Sequence, residues 1–199
     1  MDKKDSNKSM KGKPPIGVSD FKKLREEERY YVDKSLLIQK IWEYGADVLL
    51  LPRPRRFGKT LNLSMLRYFF EKTEDSNADI FEGLLISKQP EIMAHQGRYP
   101  LIYLTFKDVK EMKWEDCLNH LRHLLVSEWF RLSPLFESCP KTPEENRILM
   151  AFVNHTINIM ELEKSLLIMM SLLWRATGEK TVVLIDEYDT PIHAGYQYG

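Results

Sequence analysis

Two short stretches of the sequence carry residue types that can hold a phosphate group and a metal ion. In the first, Gly58, Lys59 and Thr60 follow an apolar run at residues 48–51 and an arginine-rich loop, and a helical pattern comes next. Backbone N–H groups at a helix start lack intrahelical partners, and the helix dipole favours an anion there. Glycine lets the backbone approach a phosphate, lysine adds a positive charge, and the threonine hydroxyl can bind Mg²⁺. Strand, loop and helix in this order predict a nucleotide-binding loop of the Walker A type.

The Walker A pattern departs from its usual form at one position. It asks for a second glycine five residues before Gly58, and this sequence has Arg53 there, followed by Pro54. Arginine resists the positive φ that glycine accepts, and proline removes one N–H from the phosphate cradle. An ordinary helix start is therefore an alternative interpretation of this stretch taken alone.

The second stretch lies near the other end of the sequence. Residues 182–185 form an apolar run rich in β-branched side chains, and Asp186 and Glu187 follow. The run is typical of a central strand of a parallel sheet, buried on both faces. Ligands in open α/β sheets bind beyond the carboxyl ends of such strands, where the two carboxylates fall. The pair predicts a Walker B element, with a core strand and an acidic turn as the alternative.

Three segments of the sequence resemble the signatures of the AAA-ATPase-like family. They are residues 53–60 (Arg-Pro-Arg-Arg-Phe-Gly-Lys-Thr), residues 30–34 (Tyr-Tyr-Val-Asp-Lys) and residues 184–191 (Leu-Ile-Asp-Glu-Tyr-Asp-Thr-Pro). The family consists of bacterial P-loop ATPases that often carry a C-terminal domain similar to PD-(D/E)xK nucleases. In that family an arginine commonly replaces the first glycine of the loop. The resemblance covers residues 15–199.

The resemblance implies an α/β fold, a P-loop NTPase three-layer αβα sandwich with a mostly parallel sheet. A further strand with a polar sensor residue would follow Gly199, so we expect the sheet to be incomplete at the C-terminus. Residues 1–15 are polar and lysine-rich and are predicted to form a flexible tail. Residues 16–199 are then the N-terminal part of a P-loop AAA-like ATPase domain. This predicts that the strands at 48–51 and 182–186 are not directly hydrogen-bonded, and that ATP binding and turnover in isolation are weak.

The expected site residues follow from the two motifs and the resemblance together. Glu187 is the candidate base that polarises the attacking water, with Lys59 and Arg56 offsetting phosphate charge. Tyr31 and Val32 are placed beside the adenine by resemblance, with core packing as the alternative. The remaining assignments to ATP are Arg55, Arg56, Phe57, Gly58, Lys59, Thr60 and Leu61, and those to Mg²⁺ are Thr60 and Asp186. For Arg55 and Arg56, a solvated or phosphate-neutralising loop is the alternative.

Composition limits the function classes. The chain has 199 residues, 43% hydrophobic and 29% charged, with a net charge of zero. The neutral charge argues against nucleic acid as the main partner, although residues 53–56 and the lysine-rich tail are basic. No apolar run is long enough to cross a membrane. Two cysteines do not provide a disulfide framework of the kind found in secreted domains, so we expect a cytoplasmic protein. Self-association and an appended nuclease-like domain are further possible partners. A nucleotide-gated regulatory module without meaningful hydrolysis is the alternative function.

Hydrophobic periodicity predicts the remaining elements. A strand is expected at residues 101–106 and an amphipathic helix at 114–132. Three prolines make residues 133–143 resemble a linker. Residues 144–176 are predicted to form one long helix or two broken ones, ending at Gly178.

Overall fold

The computed structural model describes residues 12–51, 57–111, 113–154 and 156–193. The chain divides into two compact units. The N-terminal unit comprises Met1–Phe69 and Asp75–Gln96, and the C-terminal unit comprises Phe70–Glu74 and Gly97–Gly199. Most of the predicted tail lies outside the described residues, as do Arg53, Arg55 and Arg56.

The described part of the N-terminal unit is helical. Its elements are α1 (Phe21–Glu26), α2 (Leu36–Tyr44), α3 (Lys59–Phe70, whose last residue belongs to the other unit), 3₁₀ helices at Asp79–Phe81 and Leu85–Lys88, and α4 (Pro90–Met93). Asp20 begins α1 by accepting a hydrogen bond from the Lys23 N–H at 2.8 Å. Gly45 ends α2 in the left-handed conformation with φ 63°.

An aromatic cluster forms the core of this unit. Phe81 lies between Phe21 and Phe69, with ring centroids 5.4 and 5.3 Å away. Leu24, Ile38 and Met65 are also fully buried. One face of α3 is therefore packed against α1 and the Asp79–Phe81 helix, which fixes the helix that follows the predicted phosphate loop.

The predicted strand at residues 48–51 is wrong. The backbone there forms no strand, and Val48, Leu49 and Leu50 are 88%, 40% and 60% exposed. An apolar run becomes a strand only when a neighbouring strand accepts and donates its ladder hydrogen bonds. The residue pattern reports apolar character but contains no information about that neighbour. Residues 48–51 therefore make no ladder hydrogen bonds with residues 182–186.

The C-terminal unit has α/β architecture, as expected. Its elements are β1 (Leu101–Thr105), α5 (Trp114–Phe136), α6 (Pro143–Val153), α7 (Ile159–Thr177) and β2 (Val182–Asp186). β1 and β2 pair in parallel, with Leu101 opposite Val182 and Thr105 opposite Asp186. A parallel pair needs a long crossover, and the three helices supply it. The two predicted strands are confirmed, and the broken-helix alternative holds for α6 and α7.

Helices α5 and α7 form the core of this unit with β1. Trp129 lies at its centre, 5.0 Å from the Phe136 ring and 5.6 Å from the Phe152 ring. The main buried cluster contains Ile102, Leu104, Trp129, Leu132, Phe136, Met169, Leu172 and Leu173. A second cluster contains Leu118, Val126, Ile148, Phe152, Ile157 and Leu162.

Two predictions about this unit are corrected. Helix α5 continues through Pro134 to Phe136, so the linker begins later than expected. Pro134 cannot donate to the Phe130 carbonyl four residues earlier, and the Ser133 hydroxyl donates to that oxygen at 2.9 Å instead. The strand β2 was predicted to be buried on both faces, but Ile185 is 39% exposed. β1 is the one strand paired with β2 in the described part of the chain. A strand with one neighbouring strand is more exposed to solvent than a central strand with two.

Within the described residues, no helix is both long enough and apolar enough to cross a lipid bilayer.

Candidate nucleotide site

The start of α3 has the backbone form that an anion site requires. Gly58 adopts φ 73°, and its carbonyl accepts the Asn62 N–H at 2.9 Å. Helix α3 begins at the next residue. The N–H groups of Lys59, Thr60 and Leu61 are therefore first-turn donors that have no partner within the helix. A side chain at Gly58 would meet no atom within 4 Å, so the left-handed φ, and not lack of space, favours glycine.

The side chains around this corner differ in exposure. Phe57 is 60% exposed, whereas Lys59, Thr60 and Leu61 are each partly buried. The predicted contacts Arg55 and Arg56 fall outside the described residues. The corner thus combines an ammonium group, a hydroxyl group and three amide donors in consecutive residues, which is a donor set suited to phosphate oxygens.

Helix α3 is tied to α1 by two hydrogen bonds. The Phe21 N–H donates to Ser64 Oγ at 2.9 Å, and the Tyr68 hydroxyl donates to Asp20 Oδ2 at 2.9 Å. Ser64 is 7% exposed, so its oxygen accepts in a largely water-free environment. These bonds fix the direction of the helix whose N-terminus carries Lys59.

Tyr31 and Val32 have different surroundings. The Tyr31 hydroxyl donates to Met65 Sδ at 3.4 Å and accepts from the Lys34 N–H at 3.2 Å. Its ring meets Phe21 edge-on at 5.5 Å, and burial raises the pKa of its hydroxyl. Val32 is 58% exposed. Met65 lies five residues beyond Thr60, or about 8 Å along the helix axis.

Asp33 and Ser35 join this segment to the Leu85–Lys88 helix. Asp33 accepts from the N–H groups of Ser35 at 2.8 Å and Leu85 at 2.7 Å, and Ser35 Oγ accepts from the Ile86 N–H at 3.1 Å. Burial alone would raise the pKa of the Asp33 carboxyl, but these hydrogen bonds outweigh it and lower the pKa. We did not predict this role. The Asp-x-Ser spacing, which is typical of side chains that cap nearby N–H groups, was the available signal.

The two carboxylates after β2 lie in unlike environments. Asp186 is 2% exposed, and its Oδ1 accepts the Glu187 N–H at 3.1 Å. Its backbone carbonyl accepts the Phe106 N–H at 2.9 Å, which extends the pairing with β1. Glu187 is partly buried and adopts φ 51°, the left-handed region. Its Oε2 accepts from the Thr190 hydroxyl at 3.3 Å. The chain thus turns sharply at Glu187, directly beyond the carboxyl end of β2.

The predicted Mg²⁺ ligands have suitable chemistry. Thr60 offers a hydroxyl oxygen and Asp186 a carboxylate, both of which are hard oxygen donors. In residues 12–51, 57–111, 113–154 and 156–193, no group of three or more His, Cys, Asp or Glu side chains is arranged to hold a metal. Mg²⁺ commonly binds through one or two protein oxygens together with phosphates and water, so few ligands from the chain suit this ion.

Comparison with known proteins points to one family. The family model described as "Predicted AAA-ATPase" matches residues 15–198. A protein of Azotobacter chroococcum mcd 1, described as an uncharacterized protein in the vnfD 5′ region, is 30% identical over 181 residues. The match covers 90% of this chain and 30% of that relative. No solved structure matches the chain significantly.

Proposed function

Because the chain belongs to the predicted AAA-ATPase family, we propose that it binds ATP together with Mg²⁺ and hydrolyses the nucleotide. The observation that carries this proposal is the Gly58–Thr60 corner, where a left-handed glycine precedes a helix that begins at Lys59. The family membership raises the expectation that this anion site serves a nucleotide.

In the proposed complex, the N–H groups of Lys59, Thr60 and Leu61 donate to the β- and γ-phosphate oxygens. The Lys59 ammonium adds a positive charge that binds these oxygens more strongly than neutral donors do. Arg55 and Arg56 are proposed to neutralise further phosphate charge, and Arg56 to offset charge on the transferred group. Thr60 and Asp186 would hold Mg²⁺, which supplies charge neutralisation at the phosphates when bound.

Glu187 is proposed to act on the attacking water. Its Oε2 accepts from Thr190, so we assign Oε1 to the water. The water oxygen attacks the γ-phosphorus while the bond from that phosphorus to the β–γ bridging oxygen breaks. ADP leaves with that oxygen, and the proton of the water passes to the Glu187 carboxylate. Asp186 does not compete for this role in the proposed complex, because its carboxylate is assigned to Mg²⁺.

The adenine is proposed to lie beside the segment that contains Tyr31 and Val32. Tyr31 is held against α3 through Met65, and exposed Val32 presents apolar surface of the kind that covers a base. Phe57, 60% exposed next to Gly58, is a second apolar contact for the nucleotide.

We also propose that β1 and β2 belong to a larger, mostly parallel sheet in a three-layer αβα sandwich. The 39% exposure of Ile185 supports this, since an interior strand of such a sheet is covered. A cytoplasmic location, self-association and a nuclease-like domain in the same polypeptide are proposed from the family resemblance.

Binding and turnover should be measured separately on the same protein. Titration of a fluorescent ATP analogue with Mg²⁺ reports binding, and steady-state phosphate release reports hydrolysis. We expect Lys59→Ala to weaken binding and Glu187→Gln to abolish release while binding persists. Lys40→Ala, at an exposed position on α2, is the matched control and should change neither.

Each outcome distinguishes the candidate functions. Saturable binding that depends on Lys59, without release that depends on Glu187, would favour the nucleotide-gated regulatory module. Loss of neither property in the Lys59→Ala protein would show that the corner is an ordinary helix start.

A further inference from the structure

We propose that residues 12–14 form an N-terminal clip, which positions Tyr31 and Val32 and so sets the affinity for the adenosine part of the nucleotide. This role rests on the nucleotide binding proposed above. The clip lies against residues 28–30, which directly precede the two residues assigned to adenine. All of these residues belong to the N-terminal unit.

Hydrogen bonds join the clip to the backbone and side chain it lies against. The Tyr30 N–H donates to the Lys13 carbonyl at 3.0 Å, and Arg29 Nη1 donates to the Pro14 carbonyl at 3.2 Å. Arg29 Nε also donates to Glu27 Oε2 at 2.5 Å, which limits the freedom of the guanidinium. The clip therefore restrains the backbone immediately before the proposed adenine contacts.

Gly12 is the position in the clip where a side chain cannot fit. Its φ is 110°, a value that residues with a Cβ atom rarely adopt. A Cβ atom there would lie 2.5 Å from the Glu28 carbonyl oxygen and 2.7 Å from the Tyr30 nitrogen. Because both are backbone atoms, neither can rotate away. A side chain at Gly12 must therefore displace either the clip or residues 28–30.

The sequence of the clip favours the docked form. Proline fixes its own φ and restricts the preceding residue to extended conformations. Pro14 and Pro15 thus limit the conformations open to Lys13 and Pro14, which reduces the entropy lost when the clip docks. The Pro15 carbonyl accepts the Val18 N–H at 3.3 Å, so the following turn is held as well.

Other contacts hold the far side of the same segment. The Tyr31 hydroxyl donates to Met65 Sδ at 3.4 Å, and Asp33 accepts from the Leu85 N–H at 2.7 Å. Loss of the clip should therefore change the placement of Tyr31 and Val32 without releasing the segment. We expect a moderate loss of affinity for the adenosine part of the ligand and no loss for its phosphates.

Ligands with and without adenosine test this role on the whole chain. ATP and inorganic tripolyphosphate, each with Mg²⁺, are titrated by NMR and followed at the backbone amides of residues 59–61. Gly12→Ala should weaken ATP binding about threefold to tenfold, the effect of about one net hydrogen bond, and leave tripolyphosphate binding unchanged. Gly17→Ala is the control, since Gly17 also has a positive φ of 72° but a Cβ atom there meets nothing within 4 Å. It should change neither affinity.

Hydrogen exchange at the Tyr30 amide gives a second test that needs no variant and decides the matter if Gly12→Ala does not fold. If the docked clip favours ATP, then ATP favours the docked clip by the same factor. ATP should therefore slow exchange at Tyr30 in the unchanged protein, whereas tripolyphosphate should not.

The outcomes separate the clip from the proposed function. Binding of neither ligand by the unchanged protein would refute nucleotide binding, and the role of the clip with it. Nucleotide binding would stand but the clip would be overturned by unchanged ATP affinity in Gly12→Ala, by an equal loss for both ligands, or by an equal effect of Gly17→Ala. The same holds if ATP and tripolyphosphate have equal effects on Tyr30 exchange.

Discussion

Two glutamates in left-handed backbone conformations allow a direct test of the role proposed for Glu187. Among the described residues, Glu28 with φ 48° and Glu187 with φ 51° are the non-glycine residues with positive φ. Glu28 follows Glu27, the C-cap residue of α1. The Glu28 N–H donates to the Arg25 carbonyl and the Arg29 N–H donates to the Leu24 carbonyl, both at 3.1 Å. This is the Schellman arrangement, in which glycine is the preferred residue. Replacement by glycine should relieve strain at both positions.

The expected gain follows from three contributions. The left-handed conformation costs a residue with a side chain about 1–2 kcal/mol relative to glycine. Glycine loses more backbone entropy on folding, which offsets about 0.5–1 kcal/mol. Glu28→Gly should therefore stabilise by about 0.5–1 kcal/mol. Glu187→Gly also loses the 3.3 Å hydrogen bond from Thr190, worth about 0.5 kcal/mol, so its expected gain is about 0–0.5 kcal/mol.

The assay combines urea unfolding with steady-state phosphate release. Unfolding should be followed at the amide resonances of α1 and β2, because two compact units need not unfold together. We expect both glycine variants to keep or raise the stability of their own unit. Only Glu187→Gly should abolish phosphate release, since only that carboxylate is proposed to accept a proton from water. A stability loss above about 1 kcal/mol in Glu187→Gly would contradict the strain argument. Unchanged phosphate release would contradict the catalytic role.

Two further predictions concern the contacts that hold each unit together. The folded pKa of Asp33 is lowered below its ordinary value of 3.8, so its stabilising effect is present above that value. The effect should disappear as the pH falls through the lower folded pKa. Asp33→Asn should therefore make the free energy of unfolding depend less on pH in that range, as followed at the backbone amide resonances of α2. Arg131 pairs with Glu71, which is 5% exposed, and donates to the Leu101 carbonyl at 2.7 Å. Arg131→Met should destabilise the C-terminal unit by about 2 kcal/mol, because it removes the cationic partner of the largely buried Glu71 carboxylate. A change below about 0.5 kcal/mol in urea unfolding would show that the pair contributes little.

The sequence alone determined those elements whose signals are local. Asp20 begins α1, and the left-handed Gly45 and Gly178 end α2 and α7, because caps act within one helical turn. The apolar stripe of α5 and the two confirmed strands were likewise readable from periodicity. The Gly-Lys-Thr corner belongs to this group, since a helix start depends on neighbouring residues.

Tertiary contacts decided the rest. Residues 48–51 and 182–185 are both apolar runs, yet only the second finds a ladder partner, in β1. Helix α5 continues past Pro134 for two reasons. The Ser133 hydroxyl donates to the carbonyl that proline leaves unpaired, and Phe136, which follows the proline, is buried. Tyr31 is held against Met65 while its neighbour Val32 is exposed, a division set by α3, more than thirty residues away along the chain. Strand pairing and side-chain burial depend on residues far apart in sequence, so a local pattern cannot specify them.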